Sequence, residues 1–278
     1  MKYGIVVDSS CDLLVSDYQS DLFDFTIVPL KIVTADKEYI DDETTNTDDL
    51  LASMKLSEEA SKTSCPSPHD FEEAYKKSEH VFCFTLSGEL SGTYNSSRLA
   101  KDMMEQDYPN KKIAVFDTKS TAGNLIMMVE KTKELIEKEL SFEQIQDELN
   151  EYMQTLKIFF TLGNYDNLVK TGRMSSMAKT IADSLNIKII CSAIEGKIEI
   201  CKKVRGNNRL FKTMVEMMKE QKDLKNLPIY INACRADEKV ELLVQLIKEN
   251  LDTENIHVIE CKALTTFYAM PGGVIVSF

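Results

Sequence analysis

Histidine is scarce in this chain of 278 residues. His69, His80 and His257 are its three examples, and no two of them form an H-x-x-x-H pair. A zinc centre draws on clustered histidine and cysteine, so no metal site is expected. The seven cysteines (Cys11, Cys65, Cys83, Cys191, Cys201, Cys234 and Cys261) contain no C-x-x-C spacing, and their odd number argues against a disulfide framework. Cys83 and Cys234 sit inside apolar runs, as buried thiols do. No stretch nears about 18 consecutive apolar residues, so no membrane span is expected. The opening MKYGIVVDSS is too short in its apolar part for a signal peptide, and a cytoplasmic location is the expectation. Basic residues are also in deficit, 33 against 45 acids, for a net charge of −12. Such a field repels nucleic acid and anionic surfaces, which excludes a polyanion recognised by bulk charge. Finally, the chain lacks G-x-x-x-x-G-K-[ST] and G-x-S-x-G, the marks of a phosphate loop and of a hydrolase nucleophile.

What is present is an ordinary folded composition, 43% hydrophobic and 28% charged. Apolar runs alternate with amphipathic segments. Strands are predicted at 3–8, 25–33, 80–86 and 112–117, with Pro29 marking an edge or bulge. Helices are predicted at 68–77 and 94–106, the latter with Leu99 and Met103 on one face. Two more are predicted between 121 and 155, Ser141 capping one of them with Gln144 three residues on. This alternation predicts a parallel sheet flanked by helices. From residue 157 the pattern changes. A strand at 157–162 and a small helix at 165–170 precede two strands around the hairpin signal Glu195-Gly196. Two helices then alternate with strands at 228–233 and 256–261, and the last strand spans 273–278. The expected architecture is α/β and two-lobed, with an N-terminal lobe at 1–156 and a smaller α+β lobe at 157–278.

The segment TLSGELSGTYNSSRLA, residues 85–100, follows a predicted strand and enters a helix expected to start near Ser91 to Thr93. In open parallel sheets ligands bind at that carboxyl edge. The first N–H groups of the helix are unpaired and carry partial positive charge. Gly88 and Gly92 allow close approach or an unusual φ. The segment can therefore seat an anion. With no lysine following, a polyphosphate would be poorly neutralised, whereas a single carboxylate suits a few hydroxyl and amide donors. An ordinary loop with Ser/Thr caps is the alternative. Similar clusters recur at Asp8-Ser-Ser10, at Thr63-Ser-Cys-Pro-Ser-Pro68 and at Asp117-Thr-Lys-Ser-Thr121, and together they imply a lined pocket. The cluster beginning at Thr63 has a plainer alternative, that of capping the helix from Pro68. The acidic run Asp41-Asp-Glu43 reads as a solvated loop.

These blocks carry a resemblance. Val6-Val-Asp-Ser-Ser10, Val28-Pro-Leu30, Thr63-Ser-Cys-Pro-Ser67, Leu90-Ser-Gly-Thr-Tyr-Asn-Ser96, Phe116-Asp-Thr-Lys119, Leu168-Val-Lys-Thr-Gly-Arg173 and Pro271-Gly272 resemble, in order and spacing, the motif series of the DegV family. The resemblance covers essentially the whole chain. It implies two α/β lobes with a long-chain fatty acid between them and no other cofactor. Some members of that family serve as the acyl-presenting subunit of a bacterial fatty-acid kinase, whose separate ATP-binding protein phosphorylates the carboxylate. Carried onto this chain, the resemblance places the carboxylate among Thr63, Ser64, Ser91, Gly92 and Thr93. Ser91 would be a hydrogen-bond donor there and not a nucleophile. The chain departs from the family at Tyr268-Ala-Met-Pro-Gly272, where His-Thr-Gly-Pro-Gly is common. Tyr268 thus stands in for a histidine at the head group and Met270 for a glycine, while Cys65 stands where glutamine is common.

Phe159, Phe160, Ile189, Ile190 and Met270 are candidates to line the acyl tail, with ordinary core packing as their alternative. Arg173 and Arg205 are candidates to dock the partner, against plain salt bridges. A monomer with no enzymatic activity of its own is expected, and transient contact with a membrane is compatible with the role. Two other functions compete. A serine acyl-ester hydrolase would use Ser91 as nucleophile, but needs a base beside it. A nucleotide-binding regulator would use the parallel sheet, without its glycine-rich fingerprint.

Overall fold

The computed structural model describes residues 2–18, 20–56, 60–176 and 187–278. Its first sheet joins β1 (Tyr3–Asp8), β2 (Phe23–Val28), β6 (His80–Thr85) and β7 (Lys112–Asp117) in the order β2-β1-β6-β7, every pair parallel. Successive side chains alternate between its faces. Ile5, Val7, Phe82 and Phe84 point to one core, while Val6, Val81 and Cys83 point to another. The first core is closed by α4 (Gly123–Glu137) and α5 (Phe142–Thr155), the second by α2 (Pro68–Lys76) and α3 (Thr93–Asp107). Burial on both faces is why these strands read as continuous apolar runs.

Local chemistry sets several boundaries. Ser141 and Gln144 form the expected capping box on α5, and Ser67 with Asp70 forms another on α2. The predicted strand 25–33 is two strands. β2 stops at Val28 because Pro29 offers no N–H to a ladder, and the chain then enters β3 (Lys31–Val33). That strand is the centre of a small antiparallel sheet between β4 (Glu38–Ile40) and β5 (Lys62–Ser64). Helix α1 (Thr47–Leu56) lies between β4 and β5 in sequence and buries Leu50. On α3 the expected buried face is also corrected. Leu99 and Met103 are 40% and 49% exposed, and the face against the sheet carries Ser96, Ser97, Ala100 and Met104. Small residues let α3 come close to α2, where Tyr75 Oη donates to the Ser97 carbonyl at 3.1 Å.

The remaining strands form a six-stranded sheet in the order β10-β9-β8-β13-β11-β12. They are β8 (Ile158–Thr161), β9 (Ile187–Ile194), β10 (Lys197–Arg205), β11 (Ile229–Cys234), β12 (Ile256–Glu260) and β13 (Gly273–Ser277). Only β11 and β12 pair in parallel. One face packs on α7 (Asn207–Gln221) and α8 (Asp237–Leu251). The other carries Ile158, Phe160, Ile189, Cys191 and Ile275 toward the first sheet. The short helices α6 (Asp166–Lys170) and α9 (Ala263–Ala269) border the gap between the sheets. No helix among the described residues is long and apolar enough to cross a membrane.

Helix α9 ends at Met270 with φ 56° and ψ 157°, a conformation that glycine adopts far more readily. Holding a bulky residue there costs on the order of 1–3 kcal/mol. Met270→Gly is therefore expected to raise the unfolding free energy by about 1 kcal/mol in urea denaturation, despite the lost side chain and the looser unfolded state.

Candidate ligand cavity

Carboxylates at strand ends build the site. Asp8 ends β1 and is wholly buried; its Oδ1 accepts from the Ser10 N–H at 2.9 Å and its Oδ2 from the Leu86 N–H at 2.6 Å. It thereby fixes the turn after β1 to the turn after β6. Asp12 has the left-handed φ of 58° and accepts from the Lys262 N–H at 2.9 Å and from Asn232 Nδ2 at 2.8 Å. Asp41 accepts from the Leu264 N–H at 3.0 Å. The entry to α9 is thus held by two acids from the N-terminal half, and α9 carries Tyr268. The reading of Asp41 as part of a solvated loop is corrected here, since it is 1% exposed. Its neighbours Asp42 and Glu43 serve the local chain, accepting from Thr44 and Val15.

Burial pushes all three acids up, Asp8 to about 6, Asp12 to about 6 and Asp41 to about 7, against the pull of their hydrogen bonds. At Asp41 burial outweighs the Ser9 hydroxyl and the Leu264 N–H, which both favour the charged form.

The glycines of the Ser-Gly segment act by close approach and not through unusual φ. Neither Gly88 nor Gly92 has a positive φ, but a Cβ on Gly88 would lie 3.0 Å from Asp117 Oδ2, and one on Gly92 would lie 3.1 Å from Cys65 Sγ. The segment is also latched to the second sheet. Ser87 Oγ donates to the Gly196 carbonyl at 2.7 Å, within the Glu195-Gly196 hairpin turn, where both residues have positive φ. A Cβ on Gly196 would stand 2.5 Å from that hydroxyl, so glycine is required there.

These turns enclose a cavity with about 850 Å³ of empty volume, part of it open to solvent. Its floor is the carboxyl edge of the parallel sheet, with Ser10, Leu30, Leu86, Leu90, Ser91, Ser120 and Thr121. Its roof is the second sheet, with Ile158, Phe160, Ala193, Ile198 and Ile275, and α9 closes one side with Leu264, Thr265, Tyr268 and Ala269. Thr63 and Arg173 complete the polar end. There Thr63 Oγ1 lies 2.8 Å from the Tyr268 hydroxyl, although 205 residues separate them in sequence. Ser91 Oγ lies 2.8 Å from Thr93 Oγ1 and accepts from the Thr93 N–H at 3.3 Å. Arg173 is half-buried, its Nε donating to the Leu90 carbonyl at 2.9 Å and its Nη1 to the Thr171 carbonyl.

The structure therefore brings Thr63, Ser91, Tyr268, Arg173 and Phe160 to one cavity, with Thr93 bonded to Ser91 beside it. Ser64 is exposed one residue along β5 from Thr63, where the pleat turns it to the other face, and Gly92 is exposed at the start of α3. The tail assignments need correction by the same alternation. Phe159 and Ile190 face α7 and α8, opposite to Phe160. Ile189 packs among the residues around Phe160 without bordering the cavity. Met270 lies beside Asn167, its Sδ 3.6 Å from Asn167 Nδ2, outside the cavity wall. Arg173 lines the cavity mouth, whereas Arg205 is exposed at the end of β10, away from it. Sequence reasoning missed α9 and the supporting acids Asp12 and Asp41. The polar turns at Ser10 and at Ser120-Thr121 were signalled by their repetition at strand ends.

No histidine or carboxylate lines the cavity among the described residues. His69 pairs with Glu72 on α2, His80 sits among Tyr3 and Phe142, and His257 stacks on Tyr230. Ser91 is accordingly placed beside another hydroxyl, with no base to take its proton.

The fold is mixed α/β, with a largely apolar cavity, partly open to solvent, between its parallel sheet and its six-stranded sheet. Residues 2–278 match the family model described as uncharacterised protein, DegV family. The chain belongs to the DegV family. A DegV domain-containing protein of Streptococcus pneumoniae strain R6 is 34% identical over 281 residues, covering 100% of this chain and 99% of the relative. Among solved structures, the Streptococcus pneumoniae fatty acid kinase (Fak) B3 protein loaded with linoleic acid matches with a TM-score of 0.95 at 32% identity, covering 100% of this chain and 99% of its own. A DegV family protein from Eubacterium eligens loaded with heptadecanoic acid matches with a TM-score of 0.92 at 28% identity, covering 99% and 98%.

The raised acids have a defined pH signature. Each favours the folded state most when protonated, so its contribution is full below the unfolded value of 3.8 and is lost as pH rises toward 6 or 7. Asp41→Asn keeps the acceptor for Leu264 and removes the buried charge. Relative to the native chain, the variant is expected to gain stability from pH 4 up to about pH 7 and to level off above it in denaturant titrations. A difference that stays flat across this range would mean that Asp41 is not raised.

Proposed function

We propose that this protein binds one long-chain fatty acid in the cavity and presents its carboxylate to a separate ATP-dependent kinase. The observation that carries the reading is the division of one cavity into a hydroxyl-rimmed polar end and an apolar interior, formed between two sheets. The fatty acids held by the structural neighbours from Streptococcus pneumoniae and Eubacterium eligens support it. The carboxylate sits among Thr63, Ser91, Thr93 and Tyr268, with the Arg173 guanidinium supplying the nearest positive charge. Ser64 and Gly92 shape the two loops without lining the cavity. The tail runs over Phe160 and the rest of the second sheet's inner face. The unit at 1–156 supplies most of the clamp and the unit at 157–278 supplies the roof and α9.

Energetics divide the labour. A tail of about 14 buried methylenes contributes on the order of 11 kcal/mol before the costs of association. Each hydrogen bond to the charged head adds about 1.5–3 kcal/mol at best. The tail sets affinity, and the clamp sets identity and orientation. Hydroxyls suit this purpose because they hold the carboxylate without neutralising it, so its oxygen remains a nucleophile toward the γ-phosphorus of ATP bound to the partner. The products are an acyl phosphate and ADP, and the chemistry belongs to the kinase. The chain itself is a binding subunit that acts as a monomer and works in the cytoplasm. The mouth at Arg173 is where the partner docks, with Arg205 on the same lobe as a further contact.

Native mass spectrometry of protein from lipid-replete cells is expected to find one fatty acid per chain. Acid-free protein that also fails to take up palmitate would refute the reading. In palmitate titrations Ser91→Ala should weaken binding about ten-fold, more than Cys65→Ala, because Ser91 donates to a charged group.

A further inference from the structure

We propose that the acyl tail ends against a partition made by Ser120, Ile158 and Ala193, and that Ile158 sets the longest acid the protein accepts. The inference rests on the fatty-acid reading above and specifies the ligand by its chain length. The three residues border the cavity on one side and a second, solvent-open groove on the other. No other described residue borders both. The groove has about 1200 Å³ of empty volume, open solvent included, and is lined further by Asn124, Met153, Leu156, Cys201 and Met217.

Both walls put this partition at the end away from the head group. In the roof, Ile158, Phe160 and Leu162 line the cavity as alternate residues along β8 and its continuation. Leu162 stands at the polar end, where the next residue, Gly163, donates its N–H to the Ala269 carbonyl at 2.8 Å, one residue from Tyr268. Ile158 lies four residues back, about 13 Å away at the rise of an extended strand. In the floor, the order β2-β1-β6-β7 puts Leu30, which follows β2, and Ser120, which follows β7, on opposite flanks. The Leu30 flank leads into β3, whose Ile32 pairs with Thr63. A head group held by Thr63, Ser91 and Tyr268 therefore sends its tail toward Ser120 and Ile158.

The partition is anchored on every side. The Ser120 carbonyl accepts from the Ser87 N–H at 2.9 Å, and its hydroxyl accepts from Asn124 Nδ2 at 2.8 Å. The Ile158 carbonyl accepts from Ser192 Oγ at 2.7 Å. Ala193 leads into the hairpin turn whose Gly196 carbonyl is held by Ser87 and whose Glu195 pairs with Lys119 Nζ at 2.8 Å. A wall fixed in this way does not swell to admit extra methylenes, because overfilling a packed site is itself unfavourable. Ser120 and Ala193 are small. Ile158 alone contributes branched hydrocarbon to the partition, and it is 2% exposed. One methylene too many or too few in an apolar pocket changes binding about ten-fold or more.

The test is a competition on the intact delipidated chain, displacing a fluorescent fatty acid with the even-numbered saturated acids from dodecanoic to docosanoic. Affinity is expected to rise with each added pair of methylenes and then to break at one length, the next acid binding about ten-fold more weakly. Ile158→Ala removes the branched side chain and joins the cavity to the groove, so its break is expected about two carbons later or more. Ala193→Leu fills the same end, and its break is expected about two carbons earlier. If the native chain binds these acids with no break, the inference falls while the fatty-acid reading stands. A break that keeps its place in Ile158→Ala also overturns it. Should that variant fail to fold, a break that keeps its place in Ala193→Leu does the same. If none of the acids binds the native chain, both readings fall.

Discussion

The floor of the cavity and its α9 side depend on carboxylates buried in the turns that follow strands. Taking such a group out of water costs several kcal/mol even after relaxation, unless its lone pairs find donors. Asp8, Asp12 and Asp41 find them in main-chain N–H groups of Ser10, Leu86, Lys262 and Leu264. Leu86 belongs to the neighbouring turn of the floor, while Lys262 and Leu264 belong to the entry of α9, which closes one side. The same bonds that make these acids tolerable therefore fix the distance between the turns after β1 and β6 and set α9 on its course. Tyr268 reaches Thr63 because α9 is held at its entry by acids from the other half of the chain.

The roof obeys a different rule. Its inner face is apolar because β8, β9 and β13 alternate, each sending every second residue inward. Alternation also explains why the second sheet reads as a set of short runs and hides its function. Phe159 and Phe160 are neighbours in sequence with equal hydrophobicity, but one packs under α7 and α8 and the other borders the cavity. Composition cannot separate them; only the register of β8 against β9 and β13 does.

That contrast marks how much was legible. The parallel sheet was legible because four strands buried on both faces leave continuous apolar runs, and the polar turns were legible because hydroxyls recur at each strand end. Ser91 and Thr63 were reached through motifs whose spacing carries over the whole chain. Asp41 was not, because an acid beside Asp42 and Glu43 looks like any solvated run, and its burial depends on a helix more than 200 residues later. Helix α9 itself spans only Ala263–Ala269, too short for a periodic signal. The break at Pro29 was legible as an irregularity, but nothing local says that β3 continues in another sheet. Leu99 and Met103 misled for a related reason: helical spacing shows that two residues share a face, and the small residues one step round α3 decide which face is buried.

On the proposed reading, Tyr268 alters the head-group chemistry without altering the fold. A histidine at position 268 could carry a charge near neutral pH, whereas a phenol stays neutral and donates one hydrogen bond. The proposed clamp would then be uncharged apart from Arg173, two of whose guanidinium nitrogens already donate to main-chain carbonyls. An acid held this way keeps more of its own negative charge than one paired with an imidazolium. For a carrier this is a workable balance. On that reading retention would come from the methylenes, which are indifferent to the head, so the clamp could stay weak enough to leave the carboxylate reactive. A strong ionic clamp would add affinity that the tail already supplies and would lower the nucleophilicity on which transfer depends. On the proposed reading, the apolar interior of the cavity is thus what would allow the head group to be held by hydroxyls.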